Sequence, residues 1–404
     1  MAKKKVVIDG EGVHQQQEDF TADLINSLNR DLGHKVAYNL ASDQSPTHVK
    51  RWISTGSKGL DYIISNRTNG GLPEGRIVEV FGPPSIGKSH FAAQVCRSTQ
   101  RMGGIAVYID TENATNPENL QALGVDISRR FVYVDTHCTE EVFDIAEKTI
   151  LKAKTMAKDV PITIVWDSLA ATSPKAELDG EYDQNTIGLQ ARVLSKGMRK
   201  ITGVIGDQNV LFVILNQIRT KIGVMYGDPT TTPGGNAVPF HSSVRIKLGA
   251  GQQIKGPKEE VLGIHVSAKT IKNKVAFPFR SANFRIIFGK GIEEHEELFD
   301  LLREHGPDMV NNHQVTVEGT GSWKKLEVVN EGNVKIVEKK FYKSDFKDIM
   351  VDPQYKPWVD GLLEKALVRT SSNSDNVDID PESYEEVKAV ASLLTEGGEM
   401  VSPE

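Results

Sequence analysis

The sequence predicts an α/β fold with a largely parallel sheet, and three observations predict it. Between residues 53 and 291, short apolar runs alternate with stretches of helical periodicity, the order that packs helices against a parallel sheet. The run Gly82-Pro83-Pro84-Ser85-Ile86-Gly87-Lys88-Ser89 fits G-x-x-x-x-G-K-[ST] without mismatch. A run that reads as a strand, 76–81, precedes it and a helical stretch, 88–101, follows it. Strand, loop and helix in that order make the run a phosphate-binding loop. Its glycines let backbone N–H groups turn toward phosphate oxygens, and the helix start adds positive potential.

Taken in order, residues 1–52 form a polar extension. Phe20, Leu24, Ile25, Leu28 and Leu32 recur there at helical spacing. Such a helix either packs on its own domain or docks on a neighbouring subunit, and the spacing leaves both open. The core spans 53–291. Its expected buried strands are 105–110, 131–134, 161–166 and 210–216. The β-rich runs 241–248, 261–271 and 283–288 have little helix between them and are expected to extend the same sheet antiparallel.

The character changes near Gly289-Lys290-Gly291, and a small α+β domain is expected over 292–370. Residues 293–304 and 358–368 look helical. Runs 323–328 and 333–338 flank an Asn330-Glu331-Gly332 turn and read as a hairpin. Residues 371–404 hold nine acidic residues and one lysine, which reads as a flexible acidic tail.

Composition narrows the function. A chain of 404 residues can build more than one domain. Its formal net charge is −6, so a nucleic-acid partner needs a local basic patch. The two cysteines, Cys96 and Cys138, have neither metal-site spacing nor a disulfide framework, which suits a reducing compartment. No apolar stretch follows Lys3-Lys4-Lys5 and no later run is long enough to span a membrane. The expected location is the cytoplasm of a bacterium, or of the host for a bacteriophage protein.

The loop chemistry specifies a nucleoside triphosphate. Lys88 is expected to reach the β- and γ-phosphates and the Ser89 hydroxyl to hold Mg²⁺. An apolar run ends in Asp167, placed to hold the same ion through water. Hydrolysis also needs a carboxylate that polarises water. Glu112 ends another candidate strand, with Asp110 as a competitor that spacing does not separate.

Two segments point to a polynucleotide. Arg192, Ser195, Lys196 and Arg199 share one helix face, and Leu194, Met198, Ile201 and Ile205 the other. That face suits phosphate contacts and equally suits a solvated helix surface. The roughly twenty residues after Asn216 are basic, β-branched and Gly-rich, and loops of such length are usually functional or mobile. There Gly234 and Gly235 allow close backbone approach, while Ile222 and Met225 could wedge between bases.

These residues resemble the bacterial RecA-type recombinases. The likeness lies in Ile53-Ser54-Thr55-Gly56-Ser57, 70–79, the phosphate loop, 173–177, 188–192, 216–227, Gly234-Gly235-Asn236-Ala237 and Lys272-Asn273-Lys274 with Pro278-Phe279. The 216–236 pattern is the specific part. The resemblance implies a RecA-like core and a DNA-dependent ATPase that uses ATP and Mg²⁺. It implies a helical filament of identical subunits on single-stranded DNA, pairing with double-stranded DNA and exchanging strands. It assigns water activation to Glu112, γ-phosphate sensing to Gln217, and contact with the adjacent subunit's nucleotide to Lys272 and Lys274. Asn116 is counted with the nucleotide-binding residues. The first DNA-binding loop falls at 177–188 and includes Ile187. Ser195, Arg199, Gly234, Gly235 and Asn236 match the family's contacts to the DNA backbone, and Arg192, Arg219, Thr220 and Ile222 are further expected DNA contacts of the chain. The helix over 24–32 matches a subunit-docking helix. The small domain matches a duplex-capturing one, with Lys324, Lys325, Lys339 and Lys340 as its contacts.

The chain also departs from the family pattern. Asn119 replaces an adenine-stacking tyrosine, Pro239 a lysine before Phe240, and Thr220 an apolar residue. Pro233 stands where a further threonine contact is expected. Gly249 and Ser267 replace two arginines of a second DNA site, leaving Lys269 with Lys247, Lys255 and Lys258 as substitutes. Two other classes compete: a hexameric helicase of the same superfamily, and an ATP-switched DNA-coating protein without strand exchange. The 217–236 loop and the lack of an obvious arginine finger oppose the first; Lys88, Glu112 and Asp167 together oppose the second.

Overall fold

In this computed structural model the structure describes residues 10–40, 45–181, 188–220, 230–319 and 321–369, without the side chains of 10–19 and Thr220. The chain divides into two compact units, Met1–Asp300 and Leu301–Glu404.

The first unit opens with α1 (Gly10–Leu32). The apolar stripe forms, but its own chain does not bury it: Phe20 is 68% exposed, and Leu24, Leu28 and Leu32 are exposed too. A short antiparallel ladder of β1 (Trp52–Ile53) and β2 (Leu72–Pro73) brackets α2 (Lys58–Ser65). Ser57 caps α2 by accepting the Leu60 N–H, and Glu294 accepts from the Ser57 hydroxyl and the Lys58 and Gly59 N–H groups. This joins α2 to the far end of the unit.

Alternation of strand and helix then builds the parallel layer. It comprises β3 (Ile77–Gly82), α3 (Lys88–Arg101), β4 (Ile105–Asp110), α4 (Pro117–Ala122), β5 (Phe131–Asp135), α5 (Thr139–Met156) and β6 (Ile162–Asp167). After α6 (Lys175–Leu178) come α7 (Leu189–Gln208) and β7 (Val210–Gln217). The ladder β8 (Arg219–Thr220) with β9 (Thr230–Thr231) and the short α8 (Ala237–His241) lead into β10 (Val244–Lys255), β11 (Val261–Asn273), β12 (Ser281–Ile287) and β13 (Gly291–Glu293). The resulting nine-stranded sheet has the order β13-β12-β11-β10-β3-β7-β6-β4-β5.

Burial explains which strands the sequence made plain. Strands β3, β4, β6 and β7 are central and mostly apolar, as strands covered on both faces are, with Glu79 the buried charge in β3. Val107, Ile164, Trp166, Phe212 and Ile214 pack with Val142, Ala146 and Ile150 of α5 and Leu194, Met198, Ile201 and Ile205 of α7. Each such Val, Leu, Ile, Phe or Met side chain contributes about 1.5–3 kcal/mol by leaving water.

Two expectations need correction. The strand at 131–134 is not buried: β5 is the sheet edge, and Val132 and Tyr133 are exposed. The run beginning at 241 does not extend the sheet antiparallel: β10 joins β3 in parallel, and antiparallel pairing begins only at β11. The connection from β7 through the β8–β9 ladder and α8 returns the chain to the starting end of the sheet before β10 begins.

The division at residue 300 falls within α9 (His295–His305). The second unit is an antiparallel sheet of β14 (Asp308–Val310), β15 (His313–Glu318), β16 (Trp323–Val329) and β17 (Lys335–Tyr342) in that order. It is followed by α10 (Phe346–Val351) and α11 (Lys356–Leu367). Val315, Val317, Leu326, Val328 and Phe341 are buried, as are Phe346, Val359, Leu362 and Leu363. Asn330 closes the expected hairpin by accepting the Gly332 and Val334 N–H groups. Lys324 is a correction to the expected duplex contacts: it is 8% exposed, and its ammonium donates to the Gly319 and Gly321 carbonyls. Lys325 is half-buried between Glu318 and Glu327, while Lys339 and Lys340 are exposed. The acidic tail lies outside the described residues.

Candidate functional site

The loop between β3 and α3 turns through left-handed backbone at Ser85 (φ +59°) and Gly87 (φ +93°). Runs of this kind point successive N–H groups into one concavity that binds anions. Gly87 is required twice over. Its φ suits glycine, and a Cβ there would lie 2.3 Å from Ile286 Cδ1. Having no side chain, it leaves the first N–H groups of α3 uncapped. Lys88 folds back, its ammonium donating to the Gly82 (3.1 Å) and Pro83 (2.7 Å) carbonyls. Burial lowers its pKa, opposed by the charges of Asp167 and Glu112.

Facing this loop is a cavity of about 530 Å³ lined by Ser85, Lys88, Ser89, Asp110, Glu112, Asp167 and Gln217. Strands β3, β4, β6 and β7 run parallel, so their carboxyl ends deliver these residues to one edge, where ligands bind in open α/β sheets. Asp167 accepts from the Ser89 hydroxyl at 2.7 Å and from the Tyr108 hydroxyl. Burial pushes its carboxyl up, and the charges of Glu112 and Asp110 add to the rise. Sequence reasoning missed Tyr108; its only signal was that it shares a strand face with Asp110. It also missed Ser168, whose hydroxyl donates to Glu112.

The structure separates the two competing carboxylates. Asp110 is buried and accepts the N–H groups of Glu112 (3.0 Å) and Thr115 (2.9 Å) and the Tyr133 hydroxyl (3.1 Å). Burial pushes its pKa up, but these hydrogen bonds outweigh it and hold the group below its ordinary value. Asp110 therefore shapes the β4–α4 turn. Glu112 is exposed to the cavity, and the Gln217 side-chain amide donates to it at 3.4 Å. Asn116 uses its side-chain oxygen to cap α4, and Asn119 lines the cavity beside Leu120, Leu123 and Phe288.

A hydroxyl and a carboxylate 2.7 Å apart at the cavity wall fit Mg²⁺. That ion takes few protein oxygens and completes its shell with phosphates and water. Among the described residues, no group of three or more His, Cys, Asp or Glu side chains could hold a metal.

On α7, Arg192, Lys196 and Arg199 are exposed, Ser195 is half-buried, and the four expected apolar positions are buried. Gly234 (φ +93°) is seated so closely that a Cβ would lie 2.8 Å from Leu194 Cδ1. Gly235 and Asn236 follow, both exposed. The glycine pair thus sits against the turns of α7 that carry Arg192 and Ser195. Arg219 and Thr220 pair with Thr231 and Thr230, so the long loop is closed at its base by a ladder. Ile187, Ile222 and Met225 lie outside the described residues.

Lys272 and Lys274 are not brought to the cavity of their own chain. The Lys272 ammonium donates to the Pro239 (2.6 Å) and Phe240 (3.0 Å) carbonyls, beside a Phe240 ring that is 71% exposed. Gly249 lies opposite Ser267, and Lys247 opposite Lys269. Lys255 pairs with Glu259 at 2.6 Å.

The family model described as the RecA N-terminal domain matches residues 21–293. The chain belongs to the RecA family. Proteins named RecA from Staphylococcus aureus strains JH9, Newman and JH1 are each 38% identical to it over 360 residues, which cover 89% of this chain and 95% of each relative. As a RecA-family protein it is a P-loop ATPase and an ATP-dependent DNA recombinase that forms filaments on single-stranded DNA. Membership implies use of ATP and Mg²⁺, with DNA and further copies of the chain as partners. Among the described residues, no helix is long and apolar enough to cross a membrane.

Proposed function

We propose that the cavity between the 82–89 loop and the ends of β4, β6 and β7 holds and hydrolyses ATP, and that Gln217 links this chemistry to DNA grip. The contact between Gln217 and Glu112 carries the reading. It joins a carboxylate open to the cavity to the last residue of β7, from which the 219–231 loop departs.

Lys88 exchanges its two carbonyl acceptors for phosphate oxygens, and the loop N–H groups take the remainder. Ser89 and Asp167 hold Mg²⁺, which neutralises phosphate charge when bound. Glu112 accepts the proton of the attacking water, and Ser168 and Gln217 fix its orientation. Lys272 and Lys274 act on the nucleotide of an adjacent copy, since they do not line the cavity of their own chain. The stripe of α1 docks on a neighbouring copy, since its own chain leaves it exposed. On the DNA side, Arg192, Ser195, Arg199, Arg219 and the Gly234-Gly235-Asn236 segment contact the backbone. Base pairing, not protein, then supplies sequence specificity.

The test is Glu112→Gln. It keeps the side chain's size and its hydrogen bonds while removing the base. Binding of a non-hydrolysable ATP analogue is expected to survive within a few-fold, while DNA-stimulated turnover falls by about 10²–10⁴. Turnover near the wild-type rate would remove Glu112 from the chemistry.

A further inference from the structure

A buried carboxylate stands between the nucleotide cavity and the glycine pair without lining the cavity. Glu79, in the middle of β3, is fully enclosed. On one side the Asn216 amide donates to it at 3.0 Å, and on the other Arg245 donates through Nε. Both partners reach further. The Asn216 amide also donates to the Pro233 carbonyl at 3.2 Å, and its side-chain oxygen accepts the Gln217 N–H at 2.9 Å. Arg245 donates to the Thr232 hydroxyl at 3.4 Å and lies 4.9 Å over the Phe81 ring. Asn216 is itself fully buried.

One enclosed cluster therefore holds two things at once. It holds the backbone of Gln217, and it holds Thr232 and Pro233, the residues that lead into Gly234 and Gly235. Stability alone does not call for it, because a buried ion pair is often matched by apolar residues of similar volume. In a low-dielectric interior a partly satisfied polar network is costly, so its members shift together. A displacement of Gln217 strains its hydrogen bond to Asn216, and through it the Asn216 bonds to Glu79 and Pro233.

We propose that Glu79, Asn216 and Arg245 are positioning residues that couple the nucleotide state at Gln217 to the placement of 232–235 on DNA. This rests on the functional reading above and names the buried part of its linkage.

The experiment uses the full chain and a labelled single-stranded oligonucleotide, with and without a non-hydrolysable ATP analogue and Mg²⁺. Nucleotide affinity is measured likewise with and without DNA. Linkage requires one coupling factor in both directions. Glu79→Gln and Asn216→Ala are expected to keep each ligand's affinity alone within about threefold while the coupling factor falls about tenfold. A purely structural role would weaken both affinities and leave the factor intact, and that result overturns the proposal. Thr232→Val removes only the hydroxyl that meets Arg245 and keeps the test open if the other variants fail to fold. It is expected to lower the factor about threefold, and an unchanged factor there also overturns the proposal. Absence of coupling in the unaltered chain would instead sink the functional reading itself.

Discussion

The two halves of the nine-stranded sheet use their polar residues differently. In the parallel half, the ends of β3, β4, β6 and β7 converge, and Lys88, Ser89, Glu112, Asp167 and Gln217 meet at one cavity. In the antiparallel half, Lys247 lies opposite Lys269, and Lys272 spends its ammonium on two carbonyls. Like charges placed directly across a ladder destabilise a sheet. The first half gathers its polar groups at one site; the second satisfies its cations locally, Lys247 on the Thr230 hydroxyl and Lys255 on Glu259. Parallel connections gather side chains at one edge, whereas an antiparallel meander spreads them along its strands.

The largest effect tests the parallel half. Lys88→Ala removes the only lysine among the described residues lining the cavity, and DNA-stimulated ATP turnover is expected to fall by at least about 10⁴-fold, with nucleotide affinity reduced. Unchanged turnover would place the phosphates elsewhere. The next tests the other half. Lys272→Ala combined with Lys274→Ala should leave nucleotide binding by dilute protein nearly intact, yet lower turnover in the assembled state by about 10³. Equal losses in dilute and assembled protein would mean that these lysines serve their own chain.

A smaller effect is expected on α7. Arg199→Ala should weaken single-stranded DNA binding for every sequence tried and reduce the slope of log affinity against log salt by about 0.7. An unaltered slope would return that face to solvent.

The smallest effect concerns a buried acid that belongs to neither half. Burial pushes the Asp61 carboxyl up from 3.8 to about 7, against hydrogen bonds from Ser54 and Thr55 and helped by nearby Glu294. Between those two pH values the folded chain keeps a proton that the unfolded chain has released. Asp61 therefore stabilises less as pH rises through this window and levels off above about 7. The melting temperature of the unaltered chain, relative to Asp61→Asn, should fall by a few degrees between pH 5 and pH 7.5. A constant difference would show that Asp61 titrates normally.

Much of the parallel half was legible because burial on both faces writes itself as apolar runs, and because the phosphate loop has a fixed spacing. Strand β5 misled for the same reason: Phe131-Val132-Tyr133-Val134 is apolar, but it lies at an edge where Val132 and Tyr133 stay exposed. The choice between Asp110 and Glu112 was not legible, since it depends on Thr115 and Tyr133 approaching one carboxylate and not the other. Nor was the Glu79 cluster, whose members are 137 and 166 residues apart in the chain. The fate of Lys324 turned on strand register: it faces Phe341, while Lys325 faces Lys340.

The uncovered stripe of α1 has a consequence for the geometry of assembly. A two-fold dimer matches a surface with itself, whereas an open helix repeats a contact between unlike surfaces. If Phe20, Leu24, Leu28 and Leu32 form one side of such a contact, every copy has a plug and a socket, and growth has a direction. A chain whose stripe is made polar would still offer its socket but lose its plug. Mixed with unaltered protein, it would act as a chain terminator that stops filaments at one end only.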